Sequence, residues 1–264
     1  SGYARQIQQG IRRLESVQER LGELALGGTA VGSGLNAHPE FARRVIERVS
    51  EHTGISFREA ANHFEAQAAQ DTAVETSGAL KTVAVSMIKI ANDIRWLSSG
   101  PRCGLGEINI PALQPGSSIM PGKINPVIPE SVIQVAAQVI GNDTAITLGG
   151  QSGNFELNVA IPVISHSLLQ SIHLLTSAID VFTEKCIKGI TANRETCAAN
   201  IEKSLALVTG FVPQIGYEKA AAIAKKAFET GRTIREIAQE EKNLSEELIT
   251  QILEPKVNGG HNGK

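Results

Sequence analysis

The sequence predicts an all-α fold in which a bundle of long helices is followed by a small helical carboxy-terminal domain. Three observations carry that expectation. Apolar residues recur every three or four positions over long stretches, almost nothing alternates with the period of two that a half-buried strand requires, and separately capped short helices begin only after about Gly189. The domains expected are therefore residues 1–189, the long-helix bundle, and residues 190–264, the small domain. With 264 residues and 42% hydrophobic content, the chain can bury a substantial core.

Five stretches read as long helices. The first, Tyr3 to Leu24, has neither a capping signal nor an initiator methionine ahead of it and reads as a chain cut into mid-helix. His38 beside Pro39 reads as another helix start. From Glu65 to Leu97, Ala69, Ala73, Leu80, Val83, Met87, Ile90, Ile94 and Leu97 mark one face, which predicts a single helix of about 50 Å. A helix of that length exceeds a small domain and implies packing in a bundle or across subunits. Pro129 to Leu148 is apolar nearly all round, the pattern of a helix enclosed on every side. Phe155 to Lys188 carries Pro162 in its first two turns, where a missing donor and a ring clash predict a kink. Beyond Gly189, Asn193 precedes a short helix, Thr233 with Glu236 forms a capping box, and Ser245 opens the last helix. Residues 258–264, rich in Gly and Asn, read as a frayed end.

Composition narrows the function classes. A net charge of −2 with scattered Lys and Arg gives no basic stripe for phosphates, so nucleic acid and anionic membrane are not expected partners. Three cysteines without a CxxC pair argue against a disulfide framework and for a reducing compartment such as the cytoplasm. No apolar run reaches the roughly 18–20 residues needed to cross a bilayer, and SGYARQIQQG has neither a basic cap nor an apolar leader core.

The chemistry is concentrated in loops: Leu26 to Asn36, Gly100 to Pro126, and Gly149 to Asn154. The middle one is too apolar and too specific for disorder, and loops of that length are usually functional. Its GSSIMPGKINP segment places Ser117, Ser118, Lys123 and Asn125 among Gly116, Pro121, Gly122 and Pro126. Two hydroxyls, an ammonium and an amide on a pinned, bendable loop suit a carboxylate; a solvated Gly-Pro loop is the plain alternative. A phosphate loop is excluded by spacing, since five residues separate Gly116 from Gly122 and Ile124 follows Lys123. The glycines at 27, 28, 32 and 34 follow no strand and read as turn formers or as part of a nearby site, not as a dinucleotide fingerprint. Glu130 reads on its own as a first-turn carboxylate favoured by the helix dipole. His166 and His173 stand about 10.5 Å apart along one helix, too far to share a metal. His63 lacks the PCxxC of a zinc deaminase.

The GSSIMPGKINP segment resembles the signature of the fumarase, aspartase and argininosuccinate lyase superfamily. The likeness continues through ELALGGTAVGSGLN, IKIANDIRWLSSGPRCGLGEI, VIGNDTAI and SGNFELNV, and so covers nearly the whole chain. Gly122 in PGK and the SGNFELN run are similar to class II fumarases, whereas aspartases tend to carry Ala and a Gln-rich run at those places.

This resemblance implies reversible hydration of fumarate to malate through an aci-carboxylate intermediate, with charge stabilised on the substrate carboxylate. It implies Ser117 as the base, Ser118, Lys123, Ile124 and Asn125 as substrate-binding residues, and Glu130 as the carboxylate that orients a catalytic histidine. Serine is normally too weak a base, and Lys123 with backbone donors is the available means of lowering its pKa. Neither a metal nor another cofactor is implied. The family assembles as a homotetramer whose active sites draw on three chains. Its catalytic histidine follows a threonine, and no Thr-His pair occurs here; an upstream segment is expected to supply it, and this stretch alone is expected to be inactive. The competing readings are an aspartase-type ammonia-lyase, which differs in the leaving group, and a non-catalytic helical scaffold.

Overall fold

The computed structural model describes residues 1–100, 102–241 and 243–254; His261 and the Gly- and Asn-rich end lie outside them. Two compact units divide the chain: Gly2–Arg95 with Pro111–Gly189, and Trp96–Ile110 with Ile190–Lys264. Each is built mainly of helices, with four two-residue strands in all among the described residues.

In the first unit, α1 (Gly2–Leu21) ends three residues earlier than its apolar pattern predicts, because Glu23–Leu24 leaves the helix to form β1, parallel to β2 (Arg58–Glu59). Between those strands lies α2 (Phe41–Thr53), closed by Gly54 at φ 70°. The predicted continuous helix from Glu65 is instead two: α3 (His63–Ala68) and α4 (Asp71–Leu97), with Ala69 extended between them. Tertiary hydrogen bonds explain the break. His63 Nε2 lies 3.2 Å from Leu26 O and Gln67 Nε2 donates to Thr29 O, so α3 is held to the glycine loop. The longer piece, 27 residues, is about 40 Å long rather than 50 Å. Helix α1 runs antiparallel to it, for the Tyr3 hydroxyl donates to Asp93 and Arg20 forks onto Glu75.

Helix α5 (Val127–Gly150) packs chiefly on α6 (Ile161–Lys185). Leu80 and Ala84 of α4, Ala136 and Val139 of α5 and Leu175 of α6 form one core cluster, and Ala73, Ile146 and Ile164 a second. Burying each large side chain here contributes about 1.5–3 kcal/mol. The expectation that α5 is enclosed on every side does not hold among the described residues of this chain: Ala137 and Leu148 are exposed, while the face that carries Val132, Ala136, Val139, Asn142, Asp143 and Ile146 is covered. Nor does α6 kink at Pro162. Residues 155–160 are not helical, and Pro162 lies in the first turn, where its missing N–H has no helical partner to lose. Asn158 stops the helix from starting earlier: its amide donates to Gly149 O while its Oδ1 accepts from Ala160 N.

The second unit is discontinuous because β3 (Ile108–Asn109) pairs antiparallel with β4 (Thr191–Ala192). After β4 come α7 (Arg194–Glu202), α8 (Val212–Ile215), α9 (Tyr217–Thr230), α10 (Ile234–Ala238) and α11 (Glu246–Leu253). Phe211, Ile223, Ile234, Ile237 and Ile249 pack into its core. Thr233 accepts from Glu236 N while Glu236 reaches back to Thr233 N, completing the expected capping box, and Ser245 accepts from Leu248 N. Asn193 does not cap α7; its side chain turns to Gly106 and Asn109 instead.

Candidate active site

The loop ahead of α5 is closed by its own backbone. Gly116 N donates to Lys123 O at 2.8 Å, and Asn125 Nδ2 donates to Gly116 O at 2.8 Å, so both ends of the segment are tied together. Gly116 is required by this approach, since a Cβ there would stand 2.6 Å from Lys123 O. Gly122 turns the chain at φ +79°, a left-handed conformation in open space.

Inside that closure, Ser117 Oγ accepts from Ile119 N at 3.2 Å and from Met120 N at 3.1 Å. Two backbone donors converging on one hydroxyl oxygen form a small anion-stabilising concavity, which favours negative charge on that oxygen. Among the described residues Lys123 makes neither a hydrogen bond to Ser117 nor an ion pair, and it is exposed. One of the two Asn125 amide hydrogens is committed to Gly116 O, which leaves one for a ligand. Ser118 and Ile124 are exposed beside them, and Ile119 is 83% exposed. Ser117, Ser118, Lys123, Ile124 and Asn125 thus share one hydrogen-bonded loop.

Glu130 sits in the first turn of α5, half-buried, with Oε1 3.7 Å from Arg95 Nη2 on α4. Nothing in the sequence marks Arg95 beyond its place in the last turn of a helix; only the packing of α4 on α5 brings it to Glu130. Both groups are over a third exposed, and such a pair is worth about 0–1 kcal/mol.

The glycine loop is a series of turns in which Thr29 and Val31, both β-branched, hold φ of 47° and 54°. Each such residue stores about 1–3 kcal/mol of strain, borne by the hydrogen bonds Thr29 Oγ1 to Leu35 O and Gln67 Nε2 to Thr29 O. His166 and His173 are exposed on α6, and His38 Nδ1 accepts from Glu40 N. Cys103 is exposed, and burial pushes the Cys186 thiol up to about 11, which keeps it unreactive. Among the described residues no cluster of His, Cys, Asp or Glu is arranged to hold a metal.

Known proteins share this sequence and fold. A family model described as Lyase matches residues 1–141, and one described as Fumarase C C-terminus matches residues 207–257. The chain is 54% identical over 258 residues to the class II fumarate hydratase of Mycobacterium tuberculosis, covering 97% of this chain and 54% of that protein. It is 56% identical over 238 residues to the class II fumarate hydratase of Nitrosomonas europaea, covering 90% and 52%. The crystal structure of class II fumarase from Schistosoma mansoni superposes with a TM-score of 0.93 at 36% identity, over 98% of this chain and 57% of that one. The chain thus spans about half the length of the curated relatives it matches. The match of the lyase family model over more than half of its residues, on a helical fold shared with a class II fumarase, shows that the chain belongs to the lyase family.

Proposed function

We propose that the chain supplies part of a class II fumarate hydratase, which adds water reversibly across the double bond of fumarate to give malate. The observation that carries this reading is Ser117 Oγ at the focus of the Ile119 and Met120 amides, inside a loop that also presents Lys123 and Asn125. Run from malate, the chemistry removes a weakly acidic proton from the carbon beside a carboxylate and then expels the hydroxyl of the neighbouring carbon, which leaves as water on taking up a proton; hydration runs the same steps in reverse. Ser117 takes that proton as alkoxide, its charge held by the two amides. Lys123 and the free Asn125 N–H grip the substrate carboxylate with Ser118 and the backbone of Ile124, and the ammonium offsets the second charge that develops as the aci-carboxylate forms. Glu130, at the start of α5, orients a histidine that this chain does not contain. The substrate class is a small dicarboxylate, and no cofactor or metal is invoked.

The assembly proposed is a homotetramer with shared active sites. Its support within this chain is the uncovered face of α5, where apolar Ala137 and Leu148 meet solvent. Among the described residues no helix is long and apolar enough to cross a membrane. The reading places the protein in the cytoplasm, or in a mitochondrion for a eukaryotic source.

The test follows the loss of fumarate ultraviolet absorbance, with and without ammonium, using this chain alone and mixed with the amino-terminal half of the Mycobacterium tuberculosis relative. Loss without ammonium in the mixture only, abolished by Ser117→Ala, is expected. Strict dependence on ammonium would transfer the reading to an ammonia-lyase, and no loss in any mixture would favour a non-catalytic scaffold.

A further inference from the structure

The end of α4 meets the start of α5 through an antiparallel register that packing fixes. Ala73 shares a core cluster with Ile146, Leu80 and Ala84 share another with Ala136 and Val139, and Ser77 Oγ donates to Asp143. As residue numbers rise along α4 they fall along α5, and the series ends with Arg95 opposite Glu130, where the Ser117 loop enters α5. All of these residues belong to the first unit. Arg95 is anchored on its own helix: Nη1 donates to Asn92 Oδ1 at 3.1 Å, and Nε is buried. From there Nη2 faces Glu130 Oε1 at 3.7 Å, a separation at which charges attract but no hydrogen bond closes. Among the described residues the Glu130 side chain makes no hydrogen bond, so it is held by a charge that uses up none of its lone pairs. A carboxylate that orients a histidine needs that combination of a fixed direction and an oxygen still able to accept the ring N–H. A half-buried glutamate without such a hold samples several rotamers, and the wrong ones turn the oxygen away.

We propose that Arg95 is a positioning residue for Glu130: its guanidinium, fixed through Asn92, holds the Glu130 carboxylate in one orientation and leaves an oxygen to accept from the catalytic histidine. The functional half of this inference rests on the hydratase reading. Arg95 touches no substrate and acts through Glu130 alone. Its loss leaves the packing of α4 on α5 intact, since the core clusters lie further along both helices, but lets the carboxylate wander.

Two arms test this in Arg95→Met, the conservative Arg95→Lys, Glu130→Gln and the double variant of Arg95→Met with Glu130→Gln. The first follows carbon-13 relaxation of the Glu130 carboxyl carbon in glutamate-labelled chain, its signal assigned by loss in Glu130→Gln and compared with that of exposed Glu218. The Glu130 order parameter is expected to fall below about 0.6 in Arg95→Met, with partial rescue in Arg95→Lys, while that of Glu218 stays unchanged. The second measures fumarate turnover in the mixture described above, where Arg95→Met is expected to lower kcat about tenfold with KM within a factor of about two. In the Glu130→Gln background the same substitution is expected to change kcat by less than about twofold, whereas a general structural fault would act equally in both backgrounds. An unchanged Glu130 order parameter would overturn the proposal, and so would its fall with an undiminished kcat. A rise in KM of about tenfold at constant kcat would overturn it as well, for Arg95 would then grip a substrate carboxylate directly. Absence of turnover in the unsubstituted mixture counts against the hydratase reading, and the relaxation arm then decides the hold of Arg95 on Glu130 by itself.

Discussion

Lys81 Nζ lies 2.6 Å from Asp143 Oδ2, and Ser77 Oγ donates to the other carboxylate oxygen at 2.8 Å, so a buried acid on α5 is held by two residues one turn apart on α4. The partners differ in exposure: the Asp143 side chain is 8% exposed and that of Lys81 44%. Removing the lysine strands a buried charge, whereas removing the charge leaves a lysine that water can solvate. Lys81→Met is therefore expected to lower unfolding stability by about 2–3 kcal/mol and Asp143→Asn by about 1 kcal/mol. Urea unfolding of both variants reads the order, and equal losses would contradict the argument.

Acid sensitivity in the second unit centres on Glu240. Hydrogen bonds from Lys226 and Arg232 hold its carboxyl down at about 2, from an ordinary value of 4.5. A depressed folded pKa contributes stability that is fully present above about 4.5 and is lost as pH falls toward about 2. Glu240→Gln is expected to be less stable than the parent at pH 6 and indistinguishable from it near pH 2. Thermal melts across that range check the convergence.

The capping box of α10 gives a local test. Thr233 satisfies Glu236 N, and the helix it starts buries Ile234 and Ile237 in the core of its unit. Thr233→Ala is expected to cost about 1 kcal/mol. Thr233→Ser should restore most of it, which distinguishes a lost cap from lost packing.

Gly122 offers a contrast between strain and crowding. A Cβ there meets nothing within 4 Å, yet φ is +79°. Gly122→Ala is expected to raise the energy of the loop by about 1 kcal/mol without a clash. Under the hydratase reading, kcat/KM should fall several-fold while the midpoint of thermal unfolding moves by less than about 2 °C, because the loop lies outside the packed core.

Local signals were legible where they closed on themselves. Thr233 with Glu236 and Ser245 with Leu248 are capping pairs three residues apart, and neither needs distant partners. The GSSIMPGKINP loop could be read as a unit for the same reason, since Gly116, Lys123 and Asn125 bond within it. The failures came from distant groups competing for local ones. Leu26 and Thr29 take His63 and Gln67 and break a helix that periodicity extends across Ala69. Gly106 and Asn109 take Asn193 from the helix it precedes. Asn158, with Gly149 as its partner, postpones α6 to the proline expected to bend it. The Glu130–Arg95 pair had no sequence signal at all, for it joins two helices whose contact is set by packing.

Where α5 meets α6, a buried amide interrupts the apolar pattern. Asn142 is 7% exposed; its Nδ2 lies 3.0 Å from Gln170 Oε1, 3.1 Å from Ser171 Oγ and 3.3 Å from Ser167 O, and its Oδ1 accepts from Gln138. Leucines and valines across a helix pair are interchangeable enough to let one helix slide or roll against the other. A buried amide is not, because any shift of a turn leaves it without acceptors in a place water does not reach. Asn142 therefore works as a key that admits one axial setting of α5 on α6. Since the Ser117 loop leads directly into α5, that setting also fixes how far along the bundle the loop is presented.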